Sequence, residues 1–194
     1  MNTTKLADVH TNLILTQVMK YWNKTPIQSR LYVPCANPSN LNQNTYTHVI
    51  QTKQQWMYTY KIDGTRAFLF FWNEPLPSIY YISRAGHVYQ IWYMNSIQEV
   101  QSLYPQIPIE IFNGTLFDSE HITTNTHQIF AIFDCIAYNE NILIKRKLKE
   151  RLLIISWIHQ LIFTCTHMSI STTQGTDNIY SNEHNIETTE LTNR

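Results

Sequence analysis

Chemistry in this chain concentrates in one heptapeptide, Tyr60-Lys61-Ile62-Asp63-Gly64-Thr65-Arg66. A lysine amine attacks an electrophile only when neutral, and its ordinary pKa lies near ~10.4. Partial burial and a neighbouring positive charge both favour the neutral amine. Tyr58, Tyr60 and Phe68 can supply apolar cover, and Arg66 can lie beside Lys61 across the Asp63-Gly64 turn. Its guanidinium would raise the local positive potential and bind oxygens of a sugar or a phosphate. Asp63 can orient either cation. The competing structural reading is a strand–turn–strand with a surface lysine, a common use of an Asp-Gly pair.

Four further segments follow in order. They are Ser83-Arg84-Ala85-Gly86-His87-Val88-Tyr89, Ile111-Phe112-Asn113-Gly114-Thr115-Leu116, Phe130-Ala131-Ile132-Phe133-Asp134-Cys135-Ile136-Ala137, and Asn139-Glu140-Asn141-Ile142-Leu143 before a basic stretch with Glu150-Arg151-Leu152. Together with Lys61–Arg66 they resemble the covalent nucleotidyltransferases, the superfamily of capping guanylyltransferases and DNA and RNA ligases. The hexapeptide is similar to that family's motif I (K-x-D-G-x-R), and the first of the four segments to its R-x-x-x-x-Y hairpin. The second stands where motif III (D-G-E-L) belongs, and the third resembles motif IIIa. The likeness spans roughly residues 50–163 and is greater to the capping subgroup, through Phe133 to Leu143.

The resemblance implies that Lys61 attacks the α-phosphate of GTP or ATP, forms a lysine–nucleotide phosphoramidate and releases pyrophosphate. It implies that Arg66 contacts the ribose, that Phe133 lies near the purine and Asp134 near the nucleotide pocket, and that Asp63, Gly64, Arg84 and Thr115 help bind the nucleotide. Mg²⁺ or Mn²⁺ is expected to accompany the triphosphate. Two departures stand out. Thr115 occupies the position of the motif III acid, and Asn113 replaces its aspartate. A neutral pair binds a ribose hydroxyl but is a weak ligand for Mg²⁺, which prefers carboxylates and water; Asp118 or Glu110 would have to compensate. Motif IV and the lysines of motif V have no counterpart, so the core is expected to be incomplete on its C-terminal side.

These residues need elements to hold them. Leu6, Val9, Leu13, Val18 and Met19 recur at helical spacing within residues 5–23. Residues 34–47, with two prolines and many Asn, read as loop. Tyr58–Lys61 and Arg66–Trp72 read as strands around Asp63-Gly64, and Ile79–Ser83 and His87–Trp92 as strands around Ala85-Gly86. A polar helix is expected over Ser96–Leu103. Ile109–Phe112 and Thr115–Phe117 bracket an Asn113-Gly114 turn, and Ile129–Ala137 is dense enough in apolar residues for a buried central strand. Residues 145–163 predict a helix with an apolar face of Leu148, Leu152, Ile155 and Ile162 flanked by Leu153, Trp157 and Leu161, and a solvated start from Lys145 to Arg151. Hairpins with segregated helices argue for an α+β fold. The resemblance sharpens this to an antiparallel-sheet nucleotidyltransferase core, ATP-grasp-like, with flanking helices. The expected organisation is a helix-and-loop extension over 1–49, the core over 50–168 and a polar tail over 169–194.

Composition excludes several alternatives. The 194 residues carry 14 Lys+Arg and 14 Asp+Glu, so RNA contact must be local rather than driven by the charge of the whole protein. Cys35, Cys135 and Cys165 lack zinc or disulfide spacing and read as buried free thiols. The eight histidines form no H-x-x-x-H pair, and no P-loop is present. No segment reaches the ~20 apolar residues of a membrane span and no signal peptide is evident. A soluble intracellular protein is expected, in the host nucleus or cytoplasm if the source is viral.

Three functions are compatible with these residues. The first is guanylyl transfer to the 5′ end of RNA through a lysyl-GMP adduct, as in the late-expression factors of arthropod DNA viruses that such a chain resembles. Viral RNA polymerase subunits, or a chain supplying the missing C-terminal motifs, would then be partners. The second is a scaffold that keeps the fold, has lost the pocket and binds a transcription or polymerase partner. The third is a fragment of an ATP-dependent polynucleotide ligase.

Overall fold

Ala67 to Trp72 contains no polar residue, which in a strand means that both faces are covered. A computed structural model describes residues 4–22, 42–52, 62–124 and 128–163, the last five by their backbone, and bears this out. The elements are β1 (Thr4–Lys5), α1 (Asp8–Lys20), α2 (Gln43–Gln51), β2 (Thr65–Trp72), β3 (Ser78–Ser83), β4 (Val88–Tyr93), α3 (Ile97–Leu103), a 3-10 turn (Ile109–Phe112), β5 (Asn113–Thr123), β6 (Gln128–Tyr138), β7 (Asn141–Ile142) and α4 (Leu148–Phe163). The strands form one sheet in the order β1-β4-β3-β2-β5-β6-β7, and every neighbouring pair is antiparallel. The fold is α+β, with β2 at the centre.

Alternation along β2 divides the core in two. Phe68, Phe70 and Trp72 pack with Ile14, Leu15, Val18, Met19 and Trp22 of the α1 segment. Leu69 and Phe71 face the other way, onto Val100 of α3, Ile111 and Phe112 of the 3-10 turn, and Ile158 of α4. The N-terminal helix therefore supplies one layer of the same core as the sheet. Its buried line is Ile14, Leu15, Val18 and Met19. Val9, expected to face inward, is 80% exposed, because the helix docks through the line that meets the sheet's aromatics.

Several expectations are corrected. Residues 43–47 are not loop but the first turns of α2, where the Asn42 side chain accepts a hydrogen bond from Thr45 N at 2.9 Å. Asn113-Gly114 is not a hairpin turn. Gly114, at φ +80°, is the extra residue where β5 shifts register against β2 (Phe71 faces Thr115, Trp72 faces Asn113), and the strand runs straight on. β6 is not central: it lies next to the two-residue edge strand β7, and its first half is only partly covered. Over Ala67–Trp72 both edges of β2 are taken by β3 and β5. In α4 the inward residues include Arg151, Ile154, Ile155 and Ile158, whereas Leu148, Leu153 and Trp157 are exposed. The Ala85-Gly86 turn and the Ser96-capped helix stand where expected. Tyr58–Lys61, residues 34–41, Leu161 and Ile162 as side chains, and the 169–194 tail lie outside the described residues. Among the described residues no helix is long and apolar enough to cross a membrane.

Candidate active site

The residues that follow Lys61 in the chain lead directly onto the end of β5. Lys61 itself lies outside the described residues. Asp63 and Gly64 are exposed. A Cβ at Gly64 would stand 2.7 Å from the carbonyl oxygen of His121. This glycine is required by close approach to a neighbouring backbone and not by an unusual φ.

Arg66 comes next and shares a face of β2 with Phe68. Directly across from Phe68 on β5 is Asp118, and across from Arg66 is Glu120. Arg66 Nε donates to Asp118 Oδ1 at 3.0 Å, and Nη2 donates to Oδ2 in a second, short bond. The pair is two-pronged, and the Asp118 side chain is 2% exposed against 26% for Arg66. One oxygen of Glu120, Oε2, is buried without a hydrogen-bond partner among the described residues.

β6 brings the third member. Asp118 faces Asp134, while Ser119 faces Ile132, so Phe133 is the extra residue of a bulge. Without that bulge, strict alternation would put Phe133 and Asp134 on opposite faces. With it both can turn to the Arg66 side. Accordingly the Arg66 guanidinium carbon lies 5.7 Å from the centroid of the Phe133 ring. Phe133 remains 37% exposed, so part of the ring is open to a ligand.

Asp134 is engaged from the far side. Arg151 Nε donates to its Oδ1 at 2.7 Å and Nη2 to its Oδ2 at 2.9 Å, and Cys135 N also donates to Oδ1 at 2.8 Å. The hydrogen bond to Asp134 raises the Arg151 pKa further. Arg151 is thus not part of a solvated helix start. It crosses from α4 to fasten β6. Burial pushes the Cys135 thiol up to about 12, with Asp134 adding and Arg151 opposing, so it is no nucleophile. Burial also lowers the His121 pKa, opposed by a side-chain hydrogen bond with Gln128. The His121 ring stacks on Phe130 with centroids 4.8 Å apart, and Tyr81 lies tilted against both, 4.9 Å from His121 and 5.4 Å from Phe130.

Arg84 is exposed in the β3–β4 turn, one residue beyond Ser83, which pairs with Ala67 next to Arg66. Thr115 faces Phe71 across the strands, is fully buried, and accepts a hydrogen bond from Asn139 N at 3.2 Å. Its hydroxyl serves the fold, and alternation directs it to the face opposite Arg66. Asn113 is exposed and donates to Asn139 Oδ1 at 3.3 Å. Among the described residues no group of three His, Cys, Asp or Glu could hold a metal ion. Glu110 is exposed on the 3-10 turn and Asp118 is occupied by Arg66, so neither forms the compensating metal site.

Arg66, the last residue of the K-x-D-G-x-R segment, is thus fixed by a buried carboxylate beside a partly exposed aromatic ring. The profile of the family described as mRNA capping enzyme, catalytic domain, matches residues 6–179. The chain belongs to that family. A comparison with curated proteins gives no match. The capping-enzyme match begins within the N-terminal segment, consistent with the packing of α1 into the core. It makes the chain a member of the guanylyltransferase-type nucleotidyltransferases.

Two members of this cluster carry other readings in the sequence, Asp118 as a compensating metal ligand and Arg151 as part of a solvated helix start. The signal was there for the first. A strand reading Leu116-x-Asp118-x-Glu120 beside an apolar partner buries carboxylates, and a buried carboxylate demands a cation.

Proposed function

We propose that this chain is the nucleotide-binding core of an mRNA guanylyltransferase and that Lys61 carries GMP. The Lys61 amine, having lost its proton, attacks the α-phosphorus of GTP. An N–P bond forms, the bond from that phosphorus to the bridging oxygen breaks, and pyrophosphate leaves. The GMP then moves to the 5′-diphosphate end of RNA, whose terminal oxygen takes the place of the lysine nitrogen. Such transfer depends on positioning and charge neutralisation more than on covalent chemistry by the protein. Arg66 would meet the ribose and Phe133 the purine. Mg²⁺ or Mn²⁺ enters as the counter-ion of the triphosphate; no step is assigned to it, because the described residues form no metal site.

The observation that carries this reading is the assembly of Arg66, on the strand that follows Lys61, with Asp118 of β5 and Phe133 of β6, within a chain of the capping family. One observation favours a non-catalytic scaffold instead: Thr115, at the position of the motif III acid, is turned to the opposite face and tied to Asn139. In either case an RNA polymerase subunit, or a chain supplying the missing lysines, is the natural partner.

Incubation of the purified chain with α-labelled GTP and a divalent cation, followed by a denaturing gel, decides between them. An acid-labile labelled band that disappears in Lys61→Ala supports guanylyl transfer. Labelling by ATP alone indicates a ligase fragment. A folded chain that takes label from neither nucleotide is a scaffold.

A further inference from the structure

Arg66 stands near the start of β2 with its side chain partly open to solvent, and an arginine so placed ordinarily samples many rotamers. Here Asp118 removes that freedom. The carboxylate sits mid-strand in β5, flanked by Phe68 on β2 and Asp134 on β6, so its own position is set by backbone pairing on both sides. It grips the guanidinium through the Nε and Nη2 edge. Two parallel bonds fix the plane as well as the place of the group. That edge-on grip turns Nη1 away from Asp118, while the Phe133 ring bounds the guanidinium on another side.

We propose that Asp118 is a positioning residue for the nucleotide, holding the Arg66 fork against Phe133 so that its outer edge meets the sugar of a bound ribonucleotide. This rests on the nucleotide reading given above and deepens it. The ordering of Arg66 is completed during folding and is not charged against binding. A displacement of the fork by one methylene would then matter, since small misplacements of oriented groups carry large penalties. A purely structural ion pair would tolerate such a displacement so long as the charges stayed paired.

The test uses the full chain and two variants. Asp118→Asn removes the charge at constant volume. Asp118→Glu keeps the charge and shifts the fork. Equilibrium dissociation constants for GTP and 2′-deoxyGTP are measured at fixed Mg²⁺, with circular dichroism reporting the fold. The expected result is GTP binding weakened by about tenfold in both variants, with the preference for GTP over 2′-deoxyGTP falling toward one. Should Asp118→Asn fail to fold, Asp118→Glu carries the test. A folded variant that keeps GTP affinity and sugar preference within about twofold of the parent overturns the proposal, as does equal weakening for both nucleotides. A parent chain that binds no GTP overturns the nucleotide reading and this inference together.

Discussion

Replacement of Gly114 by alanine should destabilise the chain by about 2–5 kcal/mol, a sum of two local effects. Gly114 adopts φ +80°, where an L side chain is strained by about 1–2 kcal/mol. An added Cβ would also overlap the Tyr21 hydroxyl, well inside van der Waals contact. Tyr21 donates to Gly114 O at 2.8 Å and packs edge-on against Phe70, with ring centroids 6.4 Å apart. Burial raises the Tyr21 pKa, with Glu140 adding, so the phenol is a group that needs its partner. Displacing it forfeits the hydrogen bond and leaves polar atoms unpaired, for about 1–3 kcal/mol. Tyr21→Phe alone should cost about 1 kcal/mol. In that background the overlap vanishes, because the next ring atom is 3.6 Å from the added Cβ. The backbone strain and a 3.3 Å approach to the flexible Glu140 Cγ then remain, and the double variant should be more stable than the sum of the singles by about 1–3 kcal/mol. Urea unfolding followed by far-UV circular dichroism gives the four free energies, provided the m-value is unchanged. Strict additivity, or a Gly114→Ala cost below about 1 kcal/mol, would refute the account of the bulge.

Two further outcomes follow from the buried charges and thiol. Arg151→Met strands Asp134, whose side chain is 17% exposed. It should lower stability by about 2–4 kcal/mol and expose α4 to limited proteolysis; an unchanged urea midpoint would show the pair to be inert. Alkaline pH should also destabilise the chain. The Cys135 thiol is held protonated in the fold, as are the Tyr21 and Tyr80 phenols, whose pKa values burial raises. Their contribution is intact below the unfolded pKa values. The thiol's contribution is lost as pH rises from about 9 toward 12, at about 1.4 kcal/mol per pH unit, and the phenols add to the loss above about 10. A urea midpoint that stays flat from pH 9 to 11 would contradict this.

The hairpin β3–β4, the Ser96-capped helix and the two-faced strand β2 were readable because each is specified locally. A turn residue, a cap or an unbroken apolar run acts within a few positions of itself. Errors arose where a local pattern had two physical meanings. Asn-Gly serves a tight turn and equally a bulge, and only the continuation of β5 along β2 separates them. The α1 and α4 stripes were each misjudged by a fraction of a turn, since a short apolar helix offers more than one plausible buried line. Thr115 was assigned to the site by its place in a motif; alternation of the strand directs it to the other face.

By itself the sequence determined the α+β class and the likeness to the capping-enzyme family, because the K-x-D-G-x-R run and its companion segments carry their identity in residue type and order. Tertiary structure alone decided which carboxylate holds Arg66, which arginine holds Asp134, and that a bulge turns Phe133 toward the guanidinium. Those contacts join residues 52 and 17 positions apart. Their partners are chosen by strand register, and a shift of one residue would send each side chain to the opposite face of the sheet.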